Sequence, residues 1–295
     1  MDVPKRVFGE TGLEVSILGL GAAQIGGKHI SAKAAEKFLN GVLDNGVNLI
    51  DTARGYGVSE ERIGKFLSHR RREFILSTKV GYDMEGYQDW SKGTVLAGIE
   101  RALCLLRTDT LDIVHLHYCD IDVLQAGEVI DELAQARQAG KIRFAAYSGE
   151  NEALDFAIDC GGFQSVQFSI NICDQRSIET ALVKASQKKF GVIAKRPAAN
   201  VFWQYTKRPS GKYSEAYWLR AQAMQLSPGD LPWLEFALRF AVFTPGVHTA
   251  IVGTSSLEHF TENLQIVSKG PLPEEVYRCA RQQFKKCDQD WSGQV

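Results

Sequence analysis

Apolar residues along the chain fall into two alternating patterns. Short runs rich in Val, Ile and Phe are typical of buried strands, whereas longer stretches with apolar residues three and four positions apart are typical of helices. The eight strand-like runs are 16–20, 48–51, 74–79, 111–117, 143–148, 165–168, 191–195 and 249–252. The helical candidates are 31–45, 59–68, 91–106, 126–139, 151–160, 176–189 and 229–242, with another after 256.

A strand followed by a helix, repeated eight times, predicts a parallel sheet with helical crossovers. Eight such units in 295 residues favour an α/β fold of one domain, residues 1–295, built as a single closed (β/α)₈ TIM barrel. The alternative is a doubly wound open sheet, which would require a complete G-x-G-x-x-G motif after an early strand. The run GLGAAQ at 19–24 starts this motif and does not complete it.

Two segments depart from the strand–helix repeat. Residues 6–8 and 14–16 flank a turn that contains Gly12, which predicts an N-terminal β-hairpin that plugs the bottom of the barrel. Between 196 and 229 a long connection is rich in aromatic residues. Connections of this length usually carry function or contain local helix.

The composition excludes several classes of function. The chain is 44% hydrophobic and 23% charged, and its net charge of −1 gives no broad attraction for nucleic acid or anionic lipid. It has neither a secretory signal nor a membrane-spanning apolar run, which would need about 18 residues. The six cysteines form no C-x-x-C pair and no metal-ligand pattern, so we expect reduced thiols, no metal site and a cytoplasmic protein.

Candidate chemistry is concentrated where the predicted strands end. Asp51 ends the second barrel strand and Tyr56 follows it, Lys79 ends the third, and the fourth ends in His115-Leu116-His117. Catalytic groups of (β/α)₈ barrels lie at these strand ends, so we expect these side chains to face one barrel mouth. The two histidines share one face of their strand, but the later one lies nearer the mouth, which favours His117 and assigns His115 to the core.

These residue types suit the reduction of a carbonyl group. The carbonyl oxygen needs a proton as a hydride reaches the carbon, and a phenol, with a reference pKa of about 10, is a weak acid. An ammonium about 4 Å away stabilises a phenolate by about 4 kcal/mol at an effective dielectric constant of 20. We therefore expect Lys79 to activate Tyr56, Asp51 to hold Lys79, and His117 to polarise the carbonyl. The alternatives are purely structural roles: Asp51 could cap the following turn, and Lys79 could form a structural ion pair.

Four segments of the chain resemble the aldo-keto reductase superfamily. They are GETGLEVS at 9–16, DTARGYG at 51–57, STK at 77–79 and LDIVHLH at 111–117. At 115–118 the chain has His-Leu-His-Tyr in place of His-Trp-Pro. This variant looks more like the bacterial and sugar-dehydrogenase-like branches than the mammalian aldose reductases. The resemblance implies a (β/α)₈ barrel, a nicotinamide cofactor across the mouth, and Asp51, Tyr56, Lys79 and His117 as the catalytic set.

The resemblance, together with the hydroxyls that precede the last helix, also implies a set of cofactor-binding residues. They are Gly21, Ala22, Asp51, Ser148, Gln167, Lys195, Arg196, Gly253, Thr254, Ser255, Ser256, His259, Glu262 and Asn263. Ser148 and Gln167 would contact the carboxamide, and Glu262 and Asn263 the adenine. The alternative for the hydroxyls is an ordinary helix cap at Ser256.

Several positions depart from the pattern of the superfamily. Gly253 stands where many members have Lys and His259 where many have Arg, so the resemblance favours NADP(H) but leaves NAD(H) open. Gly149 stands where Asn is usual. Lys195 replaces the aromatic residue that usually stacks on the nicotinamide, although its aliphatic stem could cover the ring. Lys195 and Arg196 could instead form a structural ion pair with barrel carboxylates.

These observations predict an NAD(P)-dependent oxidoreductase that acts on a small aldehyde, ketone, sugar or alcohol. Tyr56 and His117 would fix the carbonyl, and Trp90, Phe202 and Trp203 are candidate pocket walls, with local packing as the alternative. A nicotinamide-binding regulatory or sensor protein with little turnover is a second hypothesis. A barrel isomerase or lyase is a third, and it predicts no absorbance change at about 340 nm.

Overall fold

The strands form one small hairpin and one closed barrel in the computed structural model, which describes residues 3–294. Strands β1 (Lys5–Val7) and β2 (Glu14–Ser16) pair antiparallel. The barrel strands are parallel: β3 (Leu18–Gly21), β4 (Leu49–Asp51), β5 (Ile75–Val80), β6 (Leu111–His117), β7 (Ile142–Ser148), β8 (Ser165–Ser169), β9 (Gly191–Lys195) and β10 (Thr249–Gly253). They pair in chain order and β10 closes the ring against β3. The predicted (β/α)₈ barrel with an N-terminal hairpin is confirmed.

Within residues 3–294 eleven α-helices surround the barrel. They are α1 (Ala32–Asp44), α2 (Ser59–Leu67), α3 (Lys92–Leu106), α4 (Ile121–Ala126), α5 (Glu128–Gln138), α6 (Asn151–Asp159), α7 (Ala181–Gln187), α8 (Glu215–Ala223), α9 (Trp233–Phe243), α10 (Leu257–Ser268) and α11 (Glu274–Cys287). In α1 the apolar stripe of Phe38, Leu39 and Val42 is buried in the core between helices and sheet. No helix among these residues has the length and apolar character that a membrane crossing would require.

Several helical boundaries differ from the prediction. The segment before α5 contains a separate helix, α4, because Gly127 adopts a left-handed conformation with φ of 78° and ends it. The predicted helix 176–189 starts only at Ala181, because the backbone of Thr180 is not helical. Helix α8 lies inside the long aromatic connection, as expected for a segment of that length, and α11 lies beyond the helix predicted after 256.

The hairpin closes the bottom of the barrel. Phe8 is fully buried and packs, with Val15, against Leu49 and Ile193 from the barrel strands. Gly191 is required for this contact, since a Cβ atom there would lie 2.3 Å from the Phe8 ring. Among residues 3–294 the hairpin thus closes this end, and the cavity lies at the opposite end, where the strands terminate.

Candidate active site

The register of the barrel brings the predicted residues to one rim. Asp51, the last residue of β4, lies beside Gly21 of β3 and Ser77 of β5. On the other side of the ring, His117 of β6 lies beside Ser148 of β7, which in turn lies beside Gln167 of β8. Parallel strands that end at one level place their terminal side chains in one cluster, which is why residues so distant in sequence meet here.

A buried ion pair lies beneath this rim. The Lys79 ammonium is 2.6 Å from Oδ2 of Asp51 and also donates to the Thr52 carbonyl at 2.8 Å. Burial alone would lower the pKa of Lys79, but the Asp51 carboxylate and Tyr56 together more than offset this effect and the pKa is raised. Lys79 is therefore a fixed positive charge, and its orientation is set by Asp51.

Tyr56 and His117 lie above this charge and line a cavity of about 720 Å³. The Lys79 nitrogen lies 5.1 Å from the centre of the Tyr56 ring. The rings of Tyr56 and His117 meet edge to face, with their centres 6.2 Å apart. A phenol near a buried ammonium, beside an imidazole that faces the same open space, can deliver a proton to an oxygen bound between them.

Both histidines of β6 are neutral at physiological pH. Burial lowers the pKa of His117 to about 2, and the positive charges of Lys79 and Lys195 act in the same direction. Burial likewise lowers the pKa of His115 to about 3. His115 is fully buried below the cavity, with Nε2 3.1 Å from the Ser77 hydroxyl, whereas His117 lines the cavity. Of the two, only His117 can therefore meet a ligand, and it does so as a neutral imidazole.

The depressed pKa values predict that the protein loses stability in mild acid. Below pH 6.5 the unfolded chain binds protons at these histidines, but the folded chain does not until about pH 3 or lower. Each such histidine should therefore cost about 1.4 kcal/mol of unfolding free energy per pH unit as the pH falls from 6.5. Urea unfolding at pH 7.0, 6.0 and 5.0 measures this slope. The variant His115→Gln should have a shallower slope, and a slope equal to that of the parent protein would contradict the buried neutral assignment.

A hydrogen-bonded chain leads from the ion pair to the opposite wall. Gln167 donates from Nε2 to Oδ1 of Asp51 at 3.0 Å and accepts from the Ser148 hydroxyl at 2.9 Å. An amide has two N–H donors and two acceptor positions, so Gln167 keeps one of each. Both Ser148 and Gln167 line the cavity. This wall therefore offers the donor and acceptor that a carboxamide group requires.

The cavity extends to the start of α10. Gly253, Thr254, His259, Glu262 and Asn263 line this end. Two residues predicted here do not line it: Ser255, and Ser256, whose hydroxyl accepts from the His259 amide as the helix cap. The cap alternative thus describes Ser256, because that hydroxyl already caps the first turn of α10.

At the end of β9, Lys195 and Arg196 share a buried carboxylate. Oε1 of Glu150 lies 3.2 Å from Lys195 and 3.4 Å from Arg196, and it accepts from the Ser169 amide at 2.9 Å. Both basic residues also line the cavity. The ion-pair alternative and the ligand-facing prediction are therefore compatible, because the head of Lys195 is held by Glu150 while the residue remains part of the wall.

Three further predicted residues lie outside the cavity wall. Ala22 is fully buried. Its amide donates to the Asp51 carbonyl, and its own carbonyl accepts from Ser59. Phe202 is only 3% exposed and packs in a second apolar core, in contact with the ring of Trp203, which does line the cavity. Trp90 packs against the ring of Tyr82. Of the three candidate pocket walls, Trp90, Phe202 and Trp203, only Trp203 therefore lines the cavity, because Phe202 is turned into the second core and Trp90 packs against Tyr82.

Some residues at the site were not predicted from the sequence. Tyr82 hydrogen-bonds His117, Glu150 holds the two basic residues of β9, and Gln24 lies over Gly253. Tyr82 and Glu150 each lie two residues beyond the end of a barrel strand. Their position in the sequence could therefore have identified them as candidate site residues. Nothing in the sequence indicates that the Gln24 side chain reaches Gly253.

The amino-acid sequence is similar to those of several known proteins. A family model described as the Aldo/keto reductase family matches residues 17–282. The chain is 27% identical over 303 residues to the uncharacterized oxidoreductase YqkF of Bacillus subtilis, which covers 96% of this chain and 97% of that protein. It is also 27% identical to L-galactose dehydrogenase of Arabidopsis thaliana, over 90% of this chain and 88% of that protein.

A solved structure shares the whole architecture. The holo form of aldo-keto reductase AKR11C1 from Bacillus halodurans superimposes with a TM-score of 0.84 at 28% identity, over 95% of this chain and 96% of that chain. The barrel architecture thus occurs in a protein of similar sequence.

Proposed function

Because the chain belongs to the aldo/keto reductase family, whose members are oxidoreductases that use nicotinamide cofactors, we propose that it transfers a hydride between NAD(P)(H) and a carbonyl or alcohol carbon, with Tyr56 as general acid and base. The observation that carries this proposal is the position of the Lys79 ammonium, 5.1 Å from the centre of the Tyr56 ring, beneath an open cavity. The proposed substrate is a small aldehyde, ketone, sugar or alcohol.

The side chains at the site supply the proton and orient the carbonyl oxygen that receives it. In reduction, Tyr56 gives its hydroxyl proton to the carbonyl oxygen as the carbon gains a hydride, and the product is an alcohol. Lys79 stabilises the phenolate that remains, and Asp51 keeps Lys79 charged and in place. His117, being neutral, donates a hydrogen bond to the same oxygen without competing for the proton. Oxidation of an alcohol runs through the same residues in reverse.

The lining of the cavity fits a nicotinamide dinucleotide. When bound, the nicotinamide supplies the hydride in reduction and receives it in oxidation. Ser148 and Gln167, with their spare donor and acceptor, would hold the carboxamide, and Thr254, Glu262 and Asn263 would hold the adenosine end. The stem of Lys195 would lie against the nicotinamide, and Arg196 would face the pyrophosphate.

A cofactor titration followed by a substrate panel tests the proposal. Tryptophan fluorescence is recorded with NADPH and NADH, and absorbance at about 340 nm is then followed with aldehydes, ketones, aldoses and alcohols. We expect cofactor binding and turnover with at least one carbonyl substrate. Tight binding without turnover across the panel would favour a sensor, and conversion of a substrate without absorbance change would favour an isomerase or lyase.

We further propose that NADP(H) is favoured and that NAD(H) is also accepted. The family resemblance supports the phosphorylated cofactor. From Gly253 to Asn263, however, the chain contains His259 but no lysine or arginine that could pair with a 2′-phosphate. Discrimination between the two cofactors should therefore be small, because a charge-assisted contact is the usual source of that preference.

The variant Gly253→Lys is expected to favour NADPH. A lysine there would place a cation at the adenosine end and raise the ratio of NADPH to NADH affinity about ten-fold, the effect of about 1.4 kcal/mol. The new side chain must displace the Gln24 amide, which lies 2.5 Å from a Cβ atom at this position, but that amide is the free end of a flexible side chain. Fluorescence titration with both cofactors measures the ratio.

The matched control is Gly253→Met, which adds similar bulk without charge. It should leave the ratio of the two affinities unchanged, even if both affinities fall because Gln24 has moved. A ratio that does not rise in Gly253→Lys would mean that the 2′-phosphate lies elsewhere.

A further inference from the structure

Tyr82 is a half-buried residue two positions beyond the end of β5. Its hydroxyl lies 2.9 Å from Nδ1 of His117, and the two rings lie 5.4 Å apart at an angle of 35°. The ring of Tyr82 also packs against that of Trp90 at 5.8 Å. Gly81 permits this packing, since a Cβ atom there would lie 2.1 Å from the Trp90 ring. Tyr82 is therefore fixed by its neighbours, and its hydroxyl is directed at one nitrogen of His117.

This contact bears on where His117 carries its hydrogen. A neutral imidazole has one N–H donor and one bare nitrogen acceptor, and its hydrogen-bond partners decide which nitrogen is which. Burial lowers the pKa of His117 to about 2, so the ring has a single hydrogen. Burial also raises the pKa of the Tyr82 phenol, so this group keeps its proton.

Of the two arrangements that suit a distance of 2.9 Å, donation by the phenol is favoured. A phenol is a far stronger acid than a neutral imidazole N–H, and an imidazole nitrogen is a better acceptor than a phenol oxygen. Nδ1 is then the acceptor, which leaves the hydrogen on Nε2. Nε2 has no hydrogen-bond partner among residues 3–294, and His117 lines the cavity beside Tyr56.

We propose that Tyr82 is a positioning residue that fixes His117 as the tautomer with its hydrogen on Nε2. This tautomer presents an N–H group to the cavity, and the opposite tautomer would present a lone pair that repels a carbonyl oxygen. The consequence for catalysis rests on the proposed function, but the tautomer itself is a property of the free protein. The inference can thus be tested without any substrate.

The direct test is a long-range ¹H–¹⁵N spectrum of protein labelled in its six histidines. The signals of His117 are assigned by their loss in His117→Asn. In the parent protein we expect a protonated, pyrrole-type Nε2 and a bare, pyridine-type Nδ1. In Tyr82→Phe, which removes only the hydroxyl, the two nitrogens should move toward averaged values. Trp90→Phe, which reduces the packing but keeps the hydroxyl, should leave the tautomer unchanged.

Kinetics provide the second readout. Tyr82→Phe should lower kcat/KM for carbonyl reduction about ten-fold, the effect of one misplaced hydrogen bond, with cofactor affinity unchanged. The exposed residue Tyr87 supplies a matched control, since Tyr87→Phe removes a hydroxyl outside the cavity and should preserve activity.

The outcomes separate the two proposals. A pyrrole-type Nδ1 in the parent protein, or tautomer signals that do not change in Tyr82→Phe, would overturn the role of Tyr82, whatever the activity. If the expected tautomer change occurs in a protein that reduces no carbonyl compound, the positioning role stands and the proposed function fails.

Discussion

Replacing Tyr56 with phenylalanine is expected to lower kcat for carbonyl reduction by about 10²–10⁴-fold, the usual contribution of a general acid. The ring and its contact with His117 are retained, and only the proton donor is lost. Cofactor affinity should change little, because the phenol hydroxyl is not among the groups proposed to hold the dinucleotide. Turnover is measured at about 340 nm, and affinity by the fluorescence of tryptophans such as Trp203, which lines the cavity.

The control for this experiment is Tyr87→Phe, which removes a hydroxyl from an exposed tyrosine. It should behave as the parent protein in both measurements. Retained turnover in Tyr56→Phe would exclude Tyr56 as the acid and point to a water molecule or another side chain as the donor. A simultaneous loss of cofactor binding would indicate a structural effect rather than a chemical one.

Replacing Lys79 with methionine is expected to have a comparable effect on turnover and a second effect on stability. Tyr56 loses the positive charge beneath it, so kcat should fall because the phenolate left by proton transfer is no longer stabilised. Asp51 is left buried without its partner, although Ser77 and Gln167 still donate to it. Breaking a buried ion pair typically costs about 3–5 kcal/mol of unfolding free energy.

The double variant Asp51→Asn/Lys79→Met separates the two effects. It removes both charges and keeps a side chain at 51 that can hydrogen-bond Ser77 and Gln167, so much of the lost stability should return. Activity should stay low, because the charge near Tyr56 is still absent. A double variant that regains turnover together with stability would mean that Lys79 acts only by supporting the fold.

The repeating parts of this structure were predictable from sequence because they follow from local periodicity. Buried parallel strands are short apolar runs in the sequence, and each ends where polar residues begin. Positions such as Asp51, Lys79 and His117 can therefore be placed on one rim from the sequence alone. The helices α4 and α11 were missed. Helix α4 has only six residues, and α11 lies beyond the eighth strand–helix unit, so counting the repeats gave no reason to expect it.

The parts of the site that could not be predicted depend on contacts between distant side chains. Glu150 and Lys195 lie on different strand ends, and their pairing follows from barrel closure rather than from spacing. The contact of Gln24 with Gly253 depends on the path of the β3–α1 connection. The resemblance to known proteins identified where this chain differs from others, at Lys195 and Gly253. It did not indicate which side chains compensate for those differences, because compensation is a matter of three-dimensional packing.

The hairpin with Phe8 at its tip has a consequence for the order of events at the other end of the barrel. Because the hairpin closes one end of the barrel, the proposed cofactor and substrate would both enter through the open rim at the other end. If the proposed cofactor lay beneath the substrate, it would have to bind first and could leave only after the product. The order of ligand binding and release would then depend partly on the hairpin, although its two strands do not line the cavity.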